Sequence, residues 1–534
     1  EMGLFDRLIG RGRVGAVSPR PRGQYLRGER TGILQARRAV TRDGWVNVRE
    51  AAARASALAW DFMQNSGWIA GAADQVITDT VGSELKLNAR PDFSGLGYSD
   101  KERADWCRLV ERKWRVWAWT PAECDLAGVS TLAEMSDGVM RYYLAHGEGL
   151  GVIDYLPAEQ RQRYGIETGT KVTLASPHRL KRETDEFSRL HQGIFVDENG
   201  RPIAYRFVKR EGGYDRDVDI AARDTAGLRR VIHVMDRGDV PDSPRGISVM
   251  APILKVIAQA DQLADYTLAQ ALMQSIYAAI IKSPEASIDA FNAIESLAEG
   301  QEDLAADLWE VWGQRLDALK NGSISLSDPA GIAHLGPGEE FEMHTPQTPG
   351  SQYVPFAQDL RREMARRLGI LFETFTLDFS QANYSSVRMG NATVWPIAVR
   401  RRERIVGPYL QAIYESWLDE MVATGAVPFK GGYRAFRANF DKIVDTEWRG
   451  PKRPSADPYK DALANKVELE TGATTLQAIY AEKGEDWEEA LEQQAREARK
   501  LTDLELPIPF GRSRGGDGGP LGGAADGLGL SANG

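Results

Sequence analysis

Phosphate chemistry calls for a glycine-rich loop closed by Lys-Ser or Lys-Thr, and the nearest stretch is Gly165-Ile166-Glu167-Thr168-Gly169-Thr170-Lys171. Its spacing is wrong and Val172 follows the lysine, so no nucleotide-cradling loop is read there. Gly147-Glu148-Gly149 lacks the third glycine of a dinucleotide fingerprint. Gly511-Arg512-Ser513-Arg514-Gly515 has the spacing of a nucleophile elbow, but its glycine-rich surroundings supply neither the strand before it nor the helix after it. H-E-x-x-H and C-x-x-C are absent, and the six histidines are scattered. His233 sits among apolar neighbours on an expected strand and reads as structural. Asp359 and Glu363 lie one helical turn apart amid arginines, the pattern of a surface salt-bridge face rather than a catalytic pair. Cys107 and Cys124 read as packed thiols suited to a reducing compartment. No cofactor and no catalytic constellation is expected. The enzymatic alternative is a metal-dependent nuclease or other DNA-processing enzyme using dispersed carboxylates of residues 283–350 with Mg²⁺.

Aromatic residues interleaved with cations could instead stack bases, and Trp106, Trp114, Trp117 and Trp119 stand beside Arg108, Arg112, Lys113 and Arg115. The spacing of Trp106, Val110, Trp114 and Trp117 fits one buried helix face better. The formal net charge of -10 argues against a protein that coats DNA, because that affinity comes from Lys and Arg neutralising phosphates. A sequence-specific binder is disfavoured too, since no basic recognition helix occurs in a short helix-turn-helix unit.

The elements behind these residues belong to a chain of 534 residues, room for about three to four domain-sized units at roughly 150 each. No run approaches the ~18 apolar residues of a spanning helix, and no leader pattern is read at the N-terminus, so a cytoplasmic protein is expected. Residues 1–40 are rich in Arg and Gly and read as a mobile basic arm. Two helices follow, the first with Ala51, Ala55, Leu58 and Phe62 on its apolar face. The second, after the break at Asn65-Ser66-Gly67, carries Ile69, Ala73, Val76, Ile77 and Val81, and a strand near Leu85-Lys86-Leu87 comes next. Short alternating runs between Gly151 and Val234, with a hairpin turn at Asp197-Glu198-Asn199-Gly200, predict a small antiparallel unit.

After the turn Asp242-Ser243-Pro244-Arg245-Gly246, a helix is predicted over Val249 to Ile281, with Ile253, Ile257, Ala260, Ala264, Leu268, Leu272, Ile276 and Ile280 on one stripe. At 1.5 Å per residue it would reach roughly 50 Å. Gln259 and Gln262 are among its polar residues. A second helix, Val354 to Leu368, carries Arg361, Arg362, Arg366 and Arg367. A loop then leads to a third helix at Tyr384, which runs past Pro396 through Trp417. A Gly- and Pro-punctuated stretch, Gly425 to Pro454, precedes three capped helices starting at Pro458, Thr475 and Asp486, and the Gly-rich end reads as disordered.

The order of "RGISVMAPIL" before one helix, "RRLGI" after another and "NYSSVRM" behind a loop resembles the portal proteins of tailed double-stranded DNA bacteriophages, in the lambda-like branch. That resemblance implies an α+β portal fold. It assigns 41–245 to a wing of helices with a small antiparallel sheet, 246–282 and 351–370 to two stem helices, and 283–350 to an α/β clip. Residues 371–384 become a tunnel loop, 385–424 a long wing helix, 425–506 a helical crown and 507–534 a disordered tail. Thr374, Phe375, Thr376, Leu377, Asp378, Phe379, Ser380, Gln381 and Asn383 would be the loop nearest the DNA. Gln259, Gln262, Arg361, Arg362 and Arg366 would belong to the stem, and Asp303, Asp307 and Glu310 to the docking face of the clip. The implied assembly is a homo-oligomer, a dodecameric ring at a capsid vertex, assembled in the host cytoplasm and carrying roughly −120 charges in all. Its implied partners are double-stranded DNA passing without sequence specificity, the terminase large subunit, the head-tail connector, and the major capsid and scaffold proteins, with no membrane.

Overall fold

Asn65 and Ser66 interrupt what would otherwise be one long helical run, giving α1 (Gly44–Asn65) and α2 (Gly67–Thr80). The computed structural model describes residues 43–238, 241–276, 279–282, 340–343, 352–453, 458–483, 485 and 487–508. The basic arm 1–40, most of 283–350 including Asp303, Asp307 and Glu310, the Gly511–Gly515 motif and nearly all of the Gly-rich end lie outside the described residues. On α2 all the expected apolar residues are buried. On α1 the buried stripe is turned from the expected one: Ala51 and Leu58 face solvent, while Val48, Ala52, Ala55, Ala59 and Met63 are buried. Small side chains at 52, 55 and 59 let α1 lie close to α4, where Trp60 stacks on Tyr142 at 5.6 Å.

The chain continues through β1 (Lys86–Ala89), α3 (Asp100–Ala118) and α4 (Leu132–His146). Both helices open with capping boxes, Ser99 with Glu102 and Thr131 with Glu134, which satisfy the first free amides. Trp106, Val110, Trp114 and Trp117 are each no more than 4% exposed, so the tryptophan ladder is core. Trp114 meets Trp417 and Tyr414 edge-on at 5.3 and 5.6 Å. Cys124 is buried near it, and burial pushes its thiol up to about 12.

Two antiparallel sheets come next. β2 (Glu148–Tyr155), β3 (Thr170–Ala175) and β8 (Val231–Met235) pair in the order β3-β2-β8. β4 (Leu190–His191), β5 (Ile194–Val196), β6 (Pro202–Glu211) and β7 (Tyr214–Ala221) pair in sequence. The predicted turn at Asp197–Gly200 joins β5 to β6: Asp197 Oδ1 accepts from the amides of Asn199 and Arg201, both at 2.8 Å, and Gly200 has φ +77°. The near-miss phosphate motif ends in Lys171, fully buried, whose Nζ donates to the carbonyls of Ala122 and Glu123 at 3.1 and 2.6 Å.

Beyond a 3₁₀ turn at Ala251–Ile253, α5 (Leu254–Ile276) is shorter than predicted. Its 23 residues reach about 35 Å. The run ends because Ala279–Lys282 is a strand, β9, in register with β10 (Glu340–Met343), Ile281 opposite Phe341. Continuing apolar spacing concealed this change from helix to strand. α6 (Tyr353–Leu368) starts within one residue of expectation. α7 (Tyr384–Arg401) passes through a π-helical turn, Arg402–Val406, into α8 (Gly407–Ala423). At that turn Arg402 donates to the carbonyls of Thr80 and Asp79, closing the open end of α2. β11 (Thr446–Arg449) pairs with β1 across the whole chain, Lys86 opposite Arg449. The stretch after 425 therefore returns to β1 before reaching α9 (Pro458–Thr471), α10 (Leu476–Glu482) and α11 (Trp487–Asp503).

Candidate nucleic-acid interface

One buried anchor lies just ahead of α5, which packs on α6. α4 ends at Gly147 in the left-handed conformation, φ +76°, where a Cβ would stand 2.0 Å from the carbonyl oxygen of Ile247. Only glycine lets the segment 245–247 lie this close. The next residue, Glu148, is fully buried. Arg245 donates to it through Nε and Nη2, at 2.8 and 2.6 Å, and also to the carbonyls of Leu180, Gln192 and Pro177. The Gly246 amide and His233 Nε2 each lie 3.0 Å from Glu148 Oε2. Burial opposes ionisation of this carboxyl, yet Arg245 and His233 hold it below the usual carboxylate range. The predicted structural role of His233 thus has a geometry: it is a wall of the ion pair that fixes the chain ahead of α5. His146 stands nearby beside Trp60, and burial pushes it down to about 4 against the pull of Glu148.

Beyond that anchor, the 3₁₀ turn buries Ile253 and α5 buries Ile257 and half-buries Ala260, but Ala264 and Leu268 of the same predicted stripe are exposed, Leu268 by 62%. Gln259 and Gln262 also face solvent. α6 packs on α5, and Arg367 Nε donates to the Val249 carbonyl at 2.7 Å. Its other arginines are divided. Arg361 lies over the Trp68 ring at 4.4 Å, Arg362 pairs with Asp359 at 2.7 Å and covers Phe372, and Arg366 is exposed. Asp359 is thereby part of a salt-bridge face, as its spacing suggests.

The expected loop is partly a helix. Phe372–Thr376 forms one short turn of it, and Phe375 is 7% exposed, stacked on Trp68 at 5.7 Å with the rings 14° apart. Phe375 therefore does not project; it is a packing residue, with Thr374 and Thr376 half-buried beside it. Thr376 Oγ1 donates back to the Phe372 carbonyl. Leu377, at φ +53°, ends the turn in a left-handed cap and opens the true projection. Leu377 is 79% and Phe379 50% exposed, with Asp378, Ser380 and Gln381 exposed around them. Ser380 donates to Asp378 at 3.0 Å, and its hydrogen bonds hold that carboxyl below its usual range. Asn383 is occupied as the cap of α7, exchanging hydrogen bonds with Ser386. Asp378 is the one charge between 374 and 383. The tip offers apolar and polar contact with no cation for phosphate. Among the described residues no three His, Cys, Asp or Glu side chains gather into a metal-ligating group, and no helix is long and apolar enough to cross a membrane.

The sequence reading missed Trp68, Glu148 and Arg245. Glu148, a lone acid among glycines and apolar residues, was its own signal of a buried charge needing a partner.

A family model described as phage portal protein, lambda family, matches residues 30–402. Portal protein B of Escherichia phage lambda is 24% identical over 465 residues, 85% of each chain. The portal protein of Escherichia phage N15 is 23% identical over 468 residues, 85% of this chain and 86% of that one. Among solved structures, one from the neck of an empty GTA particle covers 84% of this chain and 94% of its own, at 12% identity and TM-score 0.42. An HK97 family phage portal protein from Corynebacterium diphtheriae covers 66% of this chain and 87% of its own, at 11% identity and TM-score 0.28. The chain belongs to the lambda family of phage portal proteins. Portal proteins are components of the virion.

Proposed function

We propose that copies of this chain close head-to-tail into a ring of twelve at one capsid vertex, and that the ring is the conduit through which double-stranded DNA enters and leaves the shell. The observation that carries the reading is the family match over residues 30–402. The unburied side of the stem supports it: Tyr266 and Leu268 on α5 and Val354 and Phe356 on α6 are all more than half exposed, a surface suited to the next copy in a ring. DNA runs past Leu377, Phe379 and Gln381, which touch a duplex sterically, with no lysine or arginine at the tip to hold a phosphate. The work is guidance, with no bond-making chemistry. Segment 283–350, with Asp303, Asp307 and Glu310 at its acidic stretch, docks the terminase large subunit and later the head-tail connector. The wing and crown meet the major capsid and scaffold proteins, during assembly in the host cytoplasm.

Replacing both Leu377 and Phe379 by Gly tests the conduit. Both side chains are exposed, so the protomer should fold and assemble as before while packaged genome per particle falls. Particles filled normally by that variant contradict the assignment of the tip.

A further inference from the structure

The three C-terminal helices hold to the rest of the chain by charge and hydrogen bonding rather than by apolar packing. Among the described residues of 458–508 only Ile479 is fully buried, and none of them joins either of the two apolar clusters that make up the core. The body ahead of them is fixed as far as Pro451, whose carbonyl accepts from Arg402 at 3.3 Å. Gly450 lies so close to that guanidinium that a Cβ would stand 2.3 Å from it. Beyond this point the ties are polar. Arg108 on α3 pairs with Glu492 on α11, their side chains 47% and 49% exposed. Arg388 on α7 stands 3.9 Å from Asp461 on α9, and Arg449 at the end of β11 donates to the Glu485 carbonyl at 2.9 Å. Exposed ion pairs each contribute little and weaken with salt.

Within the unit the helices are joined to one another. Tyr480 ties α10 to α11 twice: its hydroxyl accepts from Gln494 at 3.0 Å, and its carbonyl accepts from the Glu485 amide at 2.9 Å. The turn after α9 is closed by the Ala473 amide on the Glu468 carbonyl, at 2.9 Å. A segment bound more firmly to itself than to the body lets go as one piece. Under it lies a cleft of about 970 Å³, with α3 and β1 as its floor and Gln477, Trp487 and Glu488 in its roof. A packed interior leaves few voids larger than a water molecule, so roof and floor are apposed without being packed. The cations that alternate with the tryptophans of α3, Arg108, Arg112 and Arg115, line this cleft together with Cys107.

We propose that α9, α10 and α11 form a lid over this face of α3, latched by the Arg108–Glu492 pair and its two companions, which swings off as a unit when those charges are screened or reversed and uncovers the cation row. Cys107 is the reporter. The chain has two cysteines and Cys124 is fully buried, so a bulky maleimide reads Cys107. Its rate is divided by that of methyl methanethiosulfonate, a small reagent that enters a closed cleft, so that changes in thiolate fraction cancel. On the full chain, Glu492→Arg should raise this ratio about fivefold or more, and adding Arg108→Glu, which restores an opposite pair, should bring it back toward the wild-type value. Raising salt from about 0.05 to about 0.5 M should move the wild-type ratio upward too. Hydrogen exchange should quicken over 458–508 together while α3 stays protected, with the mass by light scattering unchanged. A ratio unmoved by both salt and Glu492→Arg, a double variant as fast as Glu492→Arg alone, or loss of protection in α3 along with the three helices overturns the lid. A ratio that rises only where the mass falls shows that a neighbouring copy, not α11, is the cover, and overturns it as well.

Discussion

Glu148 and Arg245 are separated by 97 residues and meet with neither side chain exposed. A buried pair is costly to half-remove, because the surviving charge has no water to return to. Glu148→Gln strands the Arg245 guanidinium and should lower unfolding free energy by about 3–5 kcal/mol in a denaturant titration; a loss under 1 kcal/mol would contradict the anchor. His146 sets a pH response of definite sign. Its folded pKa of about 4 lies below the ordinary value of 6.5, so the unfolded chain binds the proton first. The stability tied to the neutral ring is present above pH 6.5 and is lost as pH falls toward 4. Glu148, also depressed, adds a loss of the same sign only below its ordinary 4.5. Between pH 6.5 and 4.5 the melting temperature should therefore decline, and His146→Phe, which keeps an aromatic ring beside Trp60 and Tyr142, should flatten that decline. An identical slope in the variant would rule His146 out.

At the scale of elements, Trp68 and Phe375 explain both what the sequence revealed and what it hid. The stripe of Trp106, Val110, Trp114 and Trp117 was readable because helical period alone puts these residues on one face, and all four are core. The family resemblance places Phe375 with Leu377 and Phe379 in the loop nearest the DNA. The burial of Phe375 depends on Trp68, some three hundred residues earlier, and no local pattern carries that contact. The end of α5 was hidden for a related reason: Ile280 prolongs the helical stripe, but pairing with residues 340–343 makes that stretch a strand. The same applies to β1 and β11, whose partners stand at opposite ends of the chain. The two phenylalanines of the loop should consequently separate in one experiment. Phe375→Ala should cost about 3 kcal/mol of stability, as loss of a buried ring does, whereas Phe379→Ala should leave the melting temperature within a degree. Equal effects would mean that the turn at Leu377 does not divide packing from projection.

For the whole molecule, the family and α+β class were legible from motif order, while the distribution of exposed surface was not. Ala264 and Leu268 continue a stripe whose first members are core, yet they stand open in a single copy. An isolated subunit has no reason to keep that face apolar; in the proposed ring the neighbour would cover it. Charge follows the same logic. At −10 per copy, the proposed ring would repel rather than adsorb a polyanion, and a tip whose one charge is Asp378, with no cation, would leave DNA free to slide. The most direct measurement is electron microscopy of the purified full chain together with its mass by light scattering. The account predicts annular particles of about twelve subunits, with a central hole wide enough for a duplex and the Leu377–Gln381 tip lining it. Monodisperse monomers or dimers without a hole, or rings whose tip faces outward, would contradict it.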